Sequence, residues 1–280
     1  MNVISFTTTP SRIDKCKKMI NSILDQDISP DLFLINIPKK FGRGDEEYII
    51  PDFVKEACTI NFLDKDYGPA TKLVGAVKYL KSKSIKDANI VYLDDDVEYP
   101  SGMLSSMLKV RKSSPDQVHC SSGINMDPFE IYGFHWATEP DIFCSIPEGF
   151  AGVSCKLSMF GKSFEDFVDE MIEDEDFYLS DDMVFGLYFA LKRIPVRTVY
   201  FSDVYHRDMC LESLTDYANF SDALFAQTGG HPARYSRCYK KLKESGAWPF
   251  PVIEDNNRLL SPAIKSHHVS TLLRRNAQGG

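Results

Sequence analysis

"VYLDDDVEYP", residues 91–100, sets three aspartates directly behind an apolar run. Adjacent like charges repel, and burial disfavours their ionised forms. Their place at the end of what reads as a core strand therefore needs a cause. Three readings compete: a solvated turn, a divalent-metal site, or an aspartyl nucleophile with its acid partner. A turn needs only one Asp, and three pressed against a buried strand weaken that reading.

The surrounding pattern decides what kind of strand this is. "NVISF" (2–6), "LFLINI" (32–37), "CTINF" (58–62) and "NIVYL" (89–93) are short and apolar, as strands covered on both faces are. Between the first two, "TTTPSRIDKCKKMINSILDQ" carries Ile13, Cys16, Met19, Ile20, Ile23 and Leu24 at helical spacing. Pro10 suits its first turn and Thr9 its cap. After "YGP", Leu73, Val74, Val77 and Leu80 form one stripe of a second helix. Strands alternating with helices predict an α/β fold with a mostly parallel sheet flanked by helices.

Beyond Pro100 the pattern becomes mixed. "QVHCSS", "IYGFHWA" and "GFAGVSC" read as strands around glycine and proline turns. "SFEDFVDEMIEDEDF" (163–177) predicts an amphipathic helix with Phe164, Phe167, Val168, Met171 and Ile172 on its apolar side. Eight acids fall on its solvated face, whereas Asp181 and Asp182 lie outside it. "VRTVYF" (196–201) is a further strand, followed by a polar helical region and, from about Glu254, a weakly specified tail. The expected organisation is one domain over 1–205, with halves at 1–100 and 101–205, and a helical extension over 206–280.

Composition excludes several classes. The 280 residues are 43% apolar, enough for a packed core. A formal charge of −8 argues against a nucleic-acid partner, which usually meets a basic face. No apolar run approaches the roughly 18 residues of a membrane span, and "MNVISFTTTP" lacks the basic start and apolar length of a signal peptide. Seven scattered cysteines without a C-x-x-C pair read as reduced thiols in a cytoplasmic setting.

A doubly wound sheet binds ligands at the carboxyl ends of its strands, where Asp94, Asp95 and Asp96 sit. Hard carboxylate oxygens suit Mg²⁺ or Mn²⁺, which is typically held by one or two carboxylates and substrate phosphates. A strand ending in Asp-x-Asp behind an N-terminal strand-helix-strand unit resembles the GT-A glycosyltransferases, which use nucleotide-sugar donors. "DYGPATKL" (66–73), "YLDDDVEYP" (92–100), "EGFAGVS" (148–154) and "LSDDMVFG" (179–186) are similar in order to small transferases of bacteria and large DNA viruses. The resemblance covers residues 1 to about 205. It implies a GT-A fold, a Rossmann-like nucleotide-binding half joined to an acceptor half. It also implies a Mn²⁺ or Mg²⁺ cofactor on Asp96 with Asp94 nearby, although Asp95 leaves open which pair of the three touches the ion. The donor is expected to be a UDP-type nucleotide-sugar and the acceptor a glycan or other hydroxyl.

Chemistry fills in the rest of the donor site. Thr7 and Thr8 offer hydroxyls and backbone N–H groups, and Arg12 can stack on or bond a base. Gly68 permits close backbone approach at a helix start, and Lys72 supplies a point charge for a phosphate or a contact to the nucleoside. Asp66 can accept from a uracil N–H or a ribose hydroxyl. Gly149 and Gly152 leave room for a sugar. Asp181 and Asp182 fit the first turn of a helix capped by Ser180, where acids complement the dipole. In inverting enzymes that resemble this chain, a base aspartate stands here. That makes Asp182, with Asp181 as alternative, the expected acceptor of the hydroxyl proton, kept ionised by the dipole. The family's late histidine as third metal ligand corresponds to His206.

Two rivals remain. "YLDDDV" also fits the opening D-x-D-x-V of haloacid dehalogenase-like phosphatases, with Asp94 as nucleophile, Asp96 as acid/base and Asp181–Asp182 as the magnesium pair. That motif normally begins its domain, and the second acid pair should follow a strand. The other rival is a non-catalytic nucleotide-sugar-binding protein.

Overall fold

The structure is a computed structural model, and it describes residues 1–126, 134–137, 141–199, 230–245, 250, 252–254 and 258–260. The four apolar runs of the first hundred residues are strands: β1 (Asn2–Phe6), β2 (Leu32–Pro38), β3 (Thr59–Leu63) and β4 (Asn89–Tyr92). They pair in parallel in the order β3-β2-β1-β4. Helices α1 (Lys17–Leu24), α2 (Asp52–Ala57) and α3 (Thr71–Ser82) make the crossovers. After α4 (Met103–Ser113) come β5 (Val118–Cys120), β6 (Gly123–Met126), β7 (Phe134–Ala137), β8 (Phe143–Cys144), β9 (Ile146–Pro147) and β10 (Val153–Lys156). Then follow α5 (Ser163–Met171), α6 (Glu175–Tyr178), α7 (Asp181–Leu191), β11 (Val196–Thr198) and α8 (Gly230–Glu244). Strands β12 (Val252–Glu254) and β13 (Arg258–Leu260) pair with each other in the region expected to be a tail.

The main sheet has eight strands in the order β3-β2-β1-β4-β10-β5-β11-β8. β10 runs antiparallel to both its neighbours, β4 and β5, while β5 and β11 are parallel. This is the mixed, mostly parallel α/β architecture expected. β1, β2 and β4 carry apolar residues on both faces because both faces are covered, whereas the edge strand β3 leaves Phe62 53% exposed. Val3, Leu34 and Ile90 pack with α3, α5 and α7, through Leu73, Val74, Phe164, Val168 and Phe185. Their neighbours Ile4, Ile35 and Val91 point the other way, onto Met19, Ile20, Ile23, Val54, Leu104 and Met107 of α1, α2 and α4. Burying each such aliphatic side chain contributes roughly 1.5–3 kcal/mol.

Three local expectations are corrected. The first helix does not start at Thr9: residues 10–16 form turns, with Thr9 O accepting from the N–H groups of Arg12 and Ile13, and α1 begins at Lys17. The turn holds Arg12 against the aspartates, and that contact outranks helical periodicity. Leu24 is correspondingly exposed, at 55%. Second, "GFAGVSC" is not one strand, since Gly149–Ala151 make a 3-10 turn before β10. Third, the acidic stretch divides into α5 and α6, and its acids are not simply solvated. Asp174 and Asp176 pair with Lys241 and Arg237 of α8, Asp169 with Lys65, and Glu165 with Lys78 and Lys81.

Candidate active site

The topology brings six segments to one edge. β1, β2, β3 and β4 all end there, and β5 ends beside them. Because β10 is antiparallel, with Val153 opposite Tyr92, the segment before it (148–152) arrives at the same edge.

Asp95 and Asp96 share one cation. Arg12 Nη2 lies 2.6 Å from Asp95 Oδ1 and 2.8 Å from Asp96 Oδ2. Thr8 Oγ1 donates to Asp95 Oδ2 at 2.5 Å. Burial alone would lower the Arg12 pKa, but the facing carboxylates outweigh it and hold the guanidinium protonated. Burial, then the Asp95 charge, pushes the Asp96 carboxyl up to about 6 despite Arg12.

Asp94 belongs to a different network. Its Oδ1 accepts from Lys72 Nζ at 2.5 Å, and the same ammonium lies 2.8 Å from Asp181 Oδ2. Lys72 is 3% exposed, while Asp181 and Asp182 are each 6% exposed. Burial would deprotonate Lys72, but Asp181, Asp94 and Asp182 reverse that and raise its pKa well above the ordinary value. Asp182 accepts from the Gly149 N–H at 2.8 Å through Oδ1 and from the Tyr235 hydroxyl at 3.1 Å through Oδ2. A Cβ on Gly149 would sit 2.6 Å from Lys72 Nζ and 3.2 Å from Asp182 Oδ1, so a larger residue there must push the ammonium aside. Glu148, 4% exposed, accepts from Ser122 Oγ at 2.5 Å.

The expectation that the helix dipole keeps the Asp182 pKa low is overturned. Burial, followed by the adjacent Asp181 charge, raises it well above the usual carboxylate range. A helix terminus contributes about 0.3–1 kcal/mol at exposed positions, less than desolvation costs a buried carboxylate. Ser180 precedes α7 but makes no capping bond.

The other expected residues fall around these networks. Thr7 Oγ1 is tied to Asn36 O at 2.8 Å. Asp66 accepts from the Gly68 N–H through Oδ1 and the Gly42 N–H through Oδ2, both at 2.7 Å. Gly68 has φ +59°, and a Cβ there would lie 2.8 Å from Tyr178 O. Gly152 has φ +83°. Asp66 also lines a cavity of about 450 Å³ with Lys40, Phe41, Gly42, Asp45 and Asp64, beyond the ends of β2 and β3. The placement of Lys72 differs from a free phosphate contact, since its ammonium is engaged by two carboxylates. His206 lies outside the described residues. Sequence reading passed over Tyr99, whose hydroxyl accepts from the Asp94 N–H at 3.1 Å and donates to Phe150 O at 2.9 Å. It also passed over Tyr235, which sits in a polar stretch with no motif around it.

Among the described residues, no group of three or more His, Cys, Asp or Glu side chains is arranged to hold a metal ion. The oxygen donors do fit a hard divalent cation held by one or two carboxylates and completed by phosphate and water. Five buried or half-buried acids (Asp94, Asp95, Asp96, Asp181 and Asp182) surround the cations Arg12 and Lys72 here, and Glu148 faces Asp182. The phosphatase arrangement fits less well, because Asp181 and Asp182 open a helix instead of following a strand.

Fold and site together define a Rossmann-like α/β protein with a buried acid–lysine centre at the carboxyl edge of its sheet. No family model matches the chain, and no curated protein matches it. Among solved structures, the crystal structure of S. aureus TarS 1–349 is similar, with TM-score 0.43 and 14% identity. The match covers 73% of this chain and 58% of that one, so the chain spans well under two thirds of TarS 1–349. No helix among the described residues is long and apolar enough to cross a membrane.

Proposed function

We propose that this chain is a GT-A-type glycosyltransferase that moves a hexosyl group from a UDP-type nucleotide-sugar to an acceptor hydroxyl, with inversion. The observation that supports this best is the buried ammonium of Lys72. It joins the aspartate at the end of β4 to the acid pair opening α7, 2.5 Å from Asp94 and 2.8 Å from Asp181. Donor-side and acceptor-side chemistry then share one buried charged centre.

In this reading the cavity beside Phe41 and Asp66 receives the nucleoside, and its diphosphate reaches the aspartates of β4. Asp96 and Asp94 would hold Mn²⁺ or Mg²⁺, and a cation there would supply positive charge for the diphosphate leaving group. Arg12 keeps Asp95 and Asp96 oriented. Asp182 takes the proton of the attacking hydroxyl, and the new bond forms between that oxygen and the anomeric carbon. A carboxylate whose pKa is raised by burial is a stronger base than an ordinary one. The Gly149 N–H and Tyr235 O–H favour its ionised form. Asp181, paired with Lys72, is the alternative base.

The test is a panel of UDP-glucose, UDP-galactose, UDP-N-acetylglucosamine and GDP-mannose, with and without Mn²⁺, read by thermal shift and by released nucleotide. Metal-dependent stabilisation by a UDP-sugar, with slow UDP release, is expected, since a ligand of the folded state raises its melting temperature. Phosphate release from p-nitrophenyl phosphate without any response to nucleotide-sugars would replace this reading with the phosphatase.

A further inference from the structure

Helix α8 lies beyond the segment in which the transfer motifs end, yet it packs into the same core as the sheet. Its residues Tyr235, Cys238, Tyr239 and Leu242 recur at helical spacing, are each at most 7% exposed, and join the cluster that includes Tyr92, Phe177 and Phe185. On another face, Arg237 Nε lies 2.8 Å from Asp176 Oδ1. Lys241 Nζ lies 2.7 Å from Asp174 Oδ2 and 2.8 Å from Asp176 Oδ2. An apolar stripe and a basic one thus clamp α8 onto α6, the helix immediately before the acid pair. The clamp aims the Tyr235 hydroxyl at the site, 3.1 Å from Asp182 Oδ2, and brings the buried Arg234 to face the adjacent Asp181.

We propose that Tyr235 is a positioning residue for the base, so that α8 completes the transfer site. This rests on the reading of Asp182 as base. Asp182 is then gripped at both oxygens, by a backbone N–H on one side and a side-chain O–H on the other. The two bonds fix the plane of the carboxylate and favour its ionised form. A carboxylate held by Gly149 alone would be free to rotate toward Lys72, 2.8 Å from its neighbour Asp181, and be neutralised there. Among the described residues, the charged and titratable groups facing Asp182 include Asp181, Lys72, Asp94, Glu148, Tyr92, Cys120 and Tyr235 itself. From α8, Tyr235 meets Asp182 directly, and Arg234 faces the adjacent Asp181.

Tyr235→Phe removes one oxygen and keeps the ring that packs in the core, and Tyr239→Phe serves as control. Tyr239 shares the helix, and its hydroxyl meets Lys243 at 3.3 Å. UDP release from UDP-glucose with Mn²⁺ is measured against pH for wild type and both variants. Tyr235→Phe is expected to lower kcat at least about tenfold with little change in KM, the worth of one hydrogen bond to a charged group. The acidic limb of its rate profile should move to higher pH, because an ionised Asp182 has lost a donor. A purely structural role would leave that limb in place. Tyr239→Phe should match wild type. A Tyr235→Phe enzyme with wild-type or higher kcat and an unmoved limb overturns the positioning role while the transfer reading stands. Wild type that releases UDP from none of the three UDP-sugars overturns the transfer reading itself.

Discussion

Lys72 is the residue whose loss the structure makes most costly. Replacing it with methionine keeps the aliphatic stem but removes the ammonium that lies 2.5 Å from Asp94 and 2.8 Å from Asp181. With Lys72 only 3% exposed, water cannot take over its role. Breaking a buried pair by removing one partner costs about 3–5 kcal/mol, a large share of the roughly 5–15 kcal/mol that holds a domain folded. The loss should depend on pH in a definite direction. Burial already raises the folded-state pKa values of Asp181 and Asp182, and Lys72 opposes that rise in both. Without it they rise further. Between the ordinary carboxylate pKa and these raised values, the folded state binds more protons than the unfolded one, so stability falls as pH rises. Urea unfolding followed by far-UV circular dichroism should therefore show a larger loss near pH 8 than near pH 5. Adding Asp181→Asn to Lys72→Met should recover part of it, since one uncompensated charge disappears. A loss under about 1 kcal/mol, the level of an exposed ion pair, or one that is equal at both pH values, would refute the buried-centre reasoning.

Three further outcomes follow from the same geometry. Asp182→Asn should cut transfer by about a hundredfold or more while leaving nucleotide binding near normal, and Asp181→Asn should be milder; reversed effects in single-turnover assays would make Asp181 the base. Asp96→Asn should abolish Mn²⁺-dependent stabilisation by UDP in thermal-shift assays. The metal-free protein should gain stability near neutral pH, because a carboxyl raised to about 6 is destabilising once ionised. Gly149→Ala should lower both stability and turnover, since its methyl would stand 2.6 Å from Lys72 Nζ; a variant with wild-type melting temperature and rate would show that the loop can yield.

Much of the fold is visible in four strands, because parallel strands covered on both faces must be apolar throughout, and Val3–Ile4, Leu34–Ile35 and Ile90–Val91 are. The aspartates of β4 and α7 stand out for a related reason: charge at the end of a buried element needs a cause. The role of Lys72 is less legible. A lysine in the first turn of a helix reads as a ligand for anions, and sequence spacing does not say that the anions are aspartates 22 positions downstream and beyond. Nor does it show that burial overrides the helix dipole at Asp182, because burial belongs to the assembled molecule. Tyr235 is the least legible of all. It sits 53 positions from Asp182 in a polar helix, and only the clamp of Arg237 and Lys241 onto α6 carries it there.

The antiparallel insertion of β10 also bears on the order in which the chain can fold during synthesis. When the first hundred residues have emerged, β3, β2, β1 and β4 can form a parallel sheet, but one side of β4 lacks its partner until Val153–Lys156 follow. Over that interval Ile90, Val91 and Tyr92 form an apolar edge with unpaired backbone groups, the kind of template that recruits other nascent chains. A chain ended between Pro100 and Val153 would keep that edge permanently. Fragments covering only the first hundred residues should accordingly aggregate, and such a fragment produced separately would need β10 supplied, in the antiparallel sense, to stay in solution.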